Sequence, residues 1–246
     1  MSRDMIFIDA KEGLSGDMIL SALIGILEPA PKEGFVKRLE HAAGAESLQL
    51  TLLEVEDSGD QGIALHYSHP EPRAFGTLYS ECLSRTTALC ERLGGGAQTA
   101  VAILDHVFAA EAEAHGLPKD EVHLHEVGRP QAMVNIAGIG AAAEELTASG
   151  AGKFVCSTIS TGGGTTVISH GVFRIPPPAS AILLRGMKHK TGDAPGERAT
   201  PTGIAAVKAL VSSQSDDLPR EFRRRSVGFG TKRFSGRLGR TAMLFV

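Results

Sequence analysis

Tryptophan is missing from the 246 residues, and the aromatic share is only 5%. A core of large rings is therefore excluded. The interior has to be built from Ala, Leu, Ile and Val. Cysteine is also scarce: Cys82, Cys90 and Cys156 are an odd number with no Cys-x-x-Cys spacing. That argues against a disulfide framework or a zinc finger and for a reducing compartment, with the cytoplasm as the expected setting. No apolar run approaches the length needed to span a bilayer, so no membrane partner is expected. Met1 to Asp4 are polar and run straight into a strand, unlike a secretory leader. The chain carries no phosphate-loop motif, no internal repeat and no coiled-coil heptad. Glycine, by contrast, is abundant at 29 residues, so many tight turns are expected. With 42% hydrophobic residues, 22% charged residues and a net charge of −3, the composition is that of a soluble globular protein.

The most informative stretch is Val122-His-Leu-His-Glu-Val-Gly128. His123, His125 and Glu126 fall within four residues. If 122–125 is extended, His123 and His125 share one face. Gly128 lets the backbone turn, and Pro130 suits the first turn of an apolar helix over about 130–147. A surface histidine-rich turn is the competing explanation.

Elsewhere, 5–10 reads as a short buried strand ending in Asp9. Lys11-Glu-Gly-Leu-Ser-Gly-Asp-Met18 follows and leads into a helix that is apolar on most sides to Leu27. Ser15 or Asp17 could cap it. Two carboxylates, Asp9 and Asp17, at a strand end suit a cation better than a phosphate. Two strands are expected at 48–56 and 62–67, joined by the turn 57–62, with His66 and His69 as exposed strand-end residues. Two helices are expected at 76–93 and 97–115, broken by Gly94-Gly-Gly96. The second carries Glu111 and His115 one turn apart, either a ligand pair or a solvated face. A strand over 152–160 precedes the glycine loop Gly162, Gly163 and Gly164. His170 then leads into a proline-rich extended path and a helix start near 178. Thr200-Pro-Thr-Gly203 marks a helix start, with Thr200 as cap and the helix running to about 210. Residues 212–219 read as a loop. The segment 220–240 holds eight Lys/Arg and one acid, read as a solvated basic face rather than a nucleic-acid patch. Residues 241–246 read as a closing strand.

Four stretches together resemble the nickel insertion protein family of the LarC type. They are Asp9 with Gly13-Leu-Ser-Gly-Asp-Met18; Ala110-Glu-Ala-Glu-Ala-His-Gly116 running into Val122–Gly128; Gly162-Gly-Gly164, His170-Gly171 and Pro176-Pro-Pro-Ala179; and Gly196-Glu197 with Thr200-Pro-Thr-Gly203. They follow the family's order and close to its spacing over about 9–211. A weaker match is Val227-Gly-Phe-Gly-Thr-Lys-Arg233. The resemblance implies nickel loading into the nickel-pincer nucleotide cofactor of lactate racemase. It also implies a metal set of His123, His125 and Glu126, helped by Asp9, Asp17, His115 or His170, converging on one cleft. Gly162–Gly164 and the basic tail would touch a phosphate of the cofactor. Ni²⁺ is the implied metal, with another divalent ion as the alternative.

There are departures. Where the family usually continues Ala-Val-Asp-Ser-Ile-Val-Asp, this chain has Arg129, Pro130, Gln131, Ala132, Met133, Val134 and Asn135. Both acids have become amides, which keep an acceptor oxygen but lose the charge. Around the N-terminal match, Ala10-Lys11-Glu12 also differs from the family's usual run. Full-length members carry a further nucleotide-binding, CTP-using C-terminal domain, before which this chain stops.

The expected fold is α/β, a mixed sheet flanked by helices in a single domain over 1–246, with α+β as runner-up. The first functional expectation is a nickel-binding component of cofactor maturation, resembling a chelatase of the lyase class and needing a separate nucleotide-binding partner. The second is a non-catalytic scaffold paralogue, favoured by Gln131 and Asn135. The third is a metal-dependent hydrolase. The oligomeric state is left open, a homo-oligomer included.

Overall fold

The computed structural model describes residues 4–68, 77–124, 127–168 and 171–246. At its centre is strand β1 (Asp4–Asp9), followed by helix α1 (Gly16–Ile26). Helix α1 is enclosed on nearly every side, with nine of its residues buried, as its all-round apolar sequence demands. Helix α2 (Pro29–Ala45) comes next and was not anticipated. It buries only Phe35, Leu39, Ala42 and Ala43, so its apolar stripe is faint in the sequence. Strands β2 (Gln49–Asp57) and β3 (Asp60–Ser68) form the expected hairpin, in register from Gln49↔Ser68 to Asp57↔Asp60. His66 is exposed on β3, whereas His69 lies outside the described residues.

The middle of the chain is mostly helical. The short strand β4 (Thr77–Leu78) precedes α3 (Tyr79–Leu93) and α4 (Ala97–His115). The break between these helices is the expected glycine run, with Gly94, Gly95 and Gly96 all at positive φ. Strand β5 (His123–Leu124) pairs with β4 and delivers the chain to α5 (Pro130–Ala148). The predicted strand over 152–160 is two strands, β6 (Ala151–Cys156) and β7 (Ile159–Gly163). A separate hairpin, β8 (Thr165–Ile168) and β9 (Gly171–Arg174), leads to the short helix α6 (Pro178–Leu183). Strand β10 (His189–Glu197) pairs with β7, and α7 (Pro201–Leu210) starts at the predicted Thr200 cap. Part of the predicted loop over 212–219 belongs to the edge strand β11 (Val211–Gln214). The basic segment is not a tail. It forms β12 (Arg224–Phe234), which turns back into β13 (Arg237–Phe245).

The main sheet has seven strands in the order β11-β6-β1-β13-β12-β3-β2. Strands β11, β6 and β1 run parallel, β13 is antiparallel to both its neighbours, and β12 is parallel to β3. The sheet is therefore mixed, and the α/β expectation holds. The seven helices among the described residues all contribute to one main core on the face carrying Ile6, Ile8, Met243 and Phe245. Phe7, Val155 and Leu244, at the alternate positions, form a small separate cluster on the opposite face. Helix α1 lies against β12 so closely that a Cβ at Gly228 would fall 1.9 Å from the Met18 carbonyl oxygen. Only glycine permits that contact. No helix among the described residues is long and apolar enough to cross a membrane.

Candidate functional site

The chain turns into helices repeatedly on one side of the molecule. The starts of α1, α5, α6 and α7 meet the end of α4 and strand β5 there, around a cleft of about 620 Å³. Asp17, His115 and His123 all line it, as do Glu111 and Glu197. Three of the candidate ligands, taken from three distant segments, therefore face one space.

Each has a local reason for its position. Val122 and Leu124 are buried while His123 between them is exposed, as alternation in an extended stretch requires. Leu78 pairs with His123 and Thr77 with Leu124, which fixes the strand against the start of α3. His115 ends α4, and its Nε2 lies 3.5 Å from Glu111 Oε2 one turn earlier. Asp17 sits in the first turn of α1, where Ser15 Oγ donates to it. Ser15 is the N-cap by position but makes no cap hydrogen bond. Glu197 lies 4.0 Å from Lys232 across the end of β10.

The floor of the cleft is set by contact between helices. A Cβ at Gly16 would meet Thr202 Cγ2 at 3.0 Å and Asn135 Cβ at 3.5 Å, so α1, α7 and α5 touch there. Asn135 is buried, and its Oδ1 accepts from the Tyr67 hydroxyl at 2.6 Å. Burial, then the negative charge of Asp17, push the Tyr67 phenol upward, so it stays a protonated donor. Gln131 also lines the cleft.

Other expectations fall elsewhere. Asp9 does not line the cleft. Its carboxylate accepts from Lys11 N–H at 3.2 Å and from Ser157 Oγ at 3.3 Å, and so ties the end of β1 to the residues after β6. The glycine loop is also apart from the cleft. Gly162 has φ +73°, and a Cβ there would fall 1.8 Å from the Gly196 carbonyl oxygen. A Cβ at Gly163 would fall 2.7 Å from Gly192 Cα. These glycines let β10 approach β7. His125, Glu126 and His170 lie outside the described residues. Among the described residues, no group of three or more His, Cys, Asp or Glu side chains is close enough to hold a metal ion. The cysteines are not candidates. Burial pushes Cys82 up to about 11 and Cys90 and Cys156 up to about 12, so all three stay protonated at neutral pH.

Reasoning from sequence missed three contributors to the cleft: Arg129, Ser180 and Glu197. Glu197 belongs to the Gly196-Glu197 motif, which by itself points to no chemistry. Arg129 appeared only as a departure, and Ser180 had no signal of its own.

Comparison with known proteins bears on the family. Residues 6–241 match the family described as nickel insertion protein. The pyridinium-3,5-bisthiocarboxylic acid mononucleotide nickel insertion protein of Nocardioides sp. is 33% identical over 208 residues, covering 84% of this chain and 51% of that protein. The protein of the same name from Staphylococcus epidermidis is 32% identical over 212 residues, covering 85% and 51%. That from Thermotoga sp. is 30% identical over 221 residues, covering 84% and 53%. The chain thus spans about half the length of these relatives. No solved structure matches it. The match runs through nearly every element that builds the cleft, and on it the chain belongs to the nickel insertion protein family.

Proposed function

We propose that this chain takes up Ni²⁺ as cargo in the cleft and presents it to a pyridinium mononucleotide, as one component of nickel insertion. The observation that supports this reading is that Asp17, His115 and His123, from α1, α4 and β5, line the same cleft. Imidazole nitrogen suits Ni²⁺, and carboxylates fill remaining positions. His125, Glu126 and His170 belong to the same sequence motifs and are proposed to complete the set. The substrate named for the relatives is the pyridinium-3,5-bisthiocarboxylic acid mononucleotide, and we extend it to this chain. Turnover is proposed to need a nucleotide-binding partner, since the chain offers no phosphate-loop motif.

The test uses untagged protein, because a histidine tag binds nickel itself. Calorimetric titration with Ni²⁺ should give a site that His123→Ala and Asp17→Asn each weaken by about tenfold or more. Retained affinity in both variants sinks the reading. Nickel incorporation into the mononucleotide, followed spectroscopically with CTP present, should require a second protein. Insertion by the chain alone would place the whole reaction in these residues.

A second reading, a non-catalytic binding paralogue, is favoured by one contact. Asn135 Oδ1 is already engaged by Tyr67, so its amide is built into the wall. Ni²⁺ binding with no insertion under any partner condition would select it.

A further inference from the structure

Three helices of eight residues or more begin at the cleft: α1 at Ser15–Asp17, α5 at Arg129 and Gln131, and α7 at Thr200–Thr202. The first N–H groups of a helix lack intrahelical acceptors, and aligned peptide dipoles leave partial positive charge there; α5 and α7 each begin with a proline, which has no N–H, so Gln131 and Thr202 carry their first donors. The three ends are not equivalent. Helix α1 carries Asp17 in its own first turn, so its positive end already faces a carboxylate. Helices α5 and α7 carry no acid in theirs. Helix α7 uses Thr200 Oγ1 to accept from Gly203 N–H, at 3.3 Å, whereas α5 has no side-chain cap. Arg129, the N-cap of α5, is exposed and lines the cleft, and among the described residues no carboxylate pairs with it.

Ser180 supplies an independent observation. It is 0% exposed and lines the same cleft, and its Oγ has no hydrogen-bond partner among the described residues. Buried hydroxyls are almost always paired, because leaving one unpaired forfeits its hydration. Ser180 is thus a residue of the cavity lining whose hydroxyl still lacks a partner.

We infer that Arg129, the Ser180 hydroxyl and the starts of α5 and α7 hold the phosphate monoester of the mononucleotide. This deepens the proposed function and rests on its substrate class. A phosphate offers three acceptor oxygens to donors that converge from several elements, and guanidinium binds it in two-pronged fashion. The acids of the cleft, Asp17, Glu111 and Glu197, would repel a bare anion. They suit a ligand that is anionic at one end and carries a pyridinium cation, and then Ni²⁺, at the other. The phosphate contact thus moves away from Gly162–Gly164 and the basic hairpin to helix ends that the sequence left unassigned.

The experiment uses the full chain, free of metal, with nicotinic acid mononucleotide and its dephosphorylated riboside as probes in calorimetry. The mononucleotide should bind about tenfold or more tightly than the riboside. Arg129→Gln should erase most of that preference, Arg129→Lys should keep part of it, and Ser180→Ala should reduce it by about threefold or more. Riboside affinity should stay the same in all three variants, which a merely structural role would not predict. Equal affinity for the two probes, binding of neither, or a preference that survives Arg129→Gln overturns the assignment. Ni²⁺ is titrated separately without nucleotide. Loss of nickel binding there counts against the nickel reading alone, and intact nickel binding with no phosphate preference counts against this one alone.

Discussion

The β12–β13 hairpin and the cleft both concentrate charge, but they use it differently. In the hairpin segment, six of the eight Lys/Arg meet acids. Arg223 donates twice to Asp4, Arg224 pairs with Glu28, Arg225 with Asp60 and Arg233 with Asp57. Arg240 reaches Glu12 at 2.8 Å and Asp60 at 3.1 Å, and Lys232 approaches Glu197. These cations fasten a central hairpin to the loops and strand ends around it. The cleft holds one arginine, Arg129, without such a partner among the described residues, beside the imidazoles and acids that line the same space. A run of basic residues is therefore a poor guide to anion binding. The better guide is whether acids from elsewhere in the fold have already claimed them.

The contrast can be broken most forcefully at Arg240. Its side chain is 13% exposed, and removing it strands Glu12 and leaves Asp60 with Arg225 alone. Arg240→Met should cost about 2–3 kcal/mol in chemical denaturation, less than breaking a fully buried pair costs because Glu12 is partly hydrated and Asp60 keeps Arg225. Its binding of Ni²⁺ and of nicotinic acid mononucleotide should stay within about twofold of the parent chain. A large loss of binding with unchanged stability would assign the hairpin a ligand role after all.

A smaller effect is expected from the cleft side. Gln131→Asp with Asn135→Asp returns two carboxylates to one face of α5. Ni²⁺ affinity in calorimetry should rise by about tenfold, or roughly 1.4 kcal/mol. Mononucleotide affinity should fall as negative charge returns to the phosphate side. The Tyr67 hydroxyl can still donate to an acid at 135, so the helix should remain in place. An unchanged nickel affinity would remove this face of α5 from the metal site.

The smallest effect belongs to Arg223. It makes two good hydrogen bonds to Asp4, but its side chain is 65% exposed. Water already solvates both charges, so Arg223→Ala should change stability by less than about 1 kcal/mol. A larger loss in thermal denaturation would mean that exposed pairs of the hairpin matter as much as buried ones.

Much of this was legible in the residues. The apolar run 5–10, the all-round apolar helix after Gly16, the hairpin at 48–67, the glycine break at 94–96 and the Thr200 cap are local signals, and each element formed where its signal lay. The His123 face followed from period-two alternation with Val122 and Leu124. Helix α2 was hidden because only four of its seventeen residues are buried. The expected closing strand over 241–246 is the end of β13, but β12 and the start of β13 were hidden because their charges dominate the composition, while the contacts that make them central come from distant partners.

The sequence by itself therefore determined the aliphatic core, the α/β class, the family and a set of acids and histidines worth testing. Those follow from composition, periodicity and motif order, which are properties of neighbours along the chain. Only the tertiary structure decided which of the candidates share a space. It set Asp17, His115 and His123 around one cleft, left Asp9 to tie β1 to the residues after β6, and gave Gly162 and Gly163 a packing role. It also brought Arg129 and Ser180 to that cleft. The physical reason is that solvation and pairing are set by neighbours in space. A side chain acquires its chemistry from what surrounds it once the helices have packed.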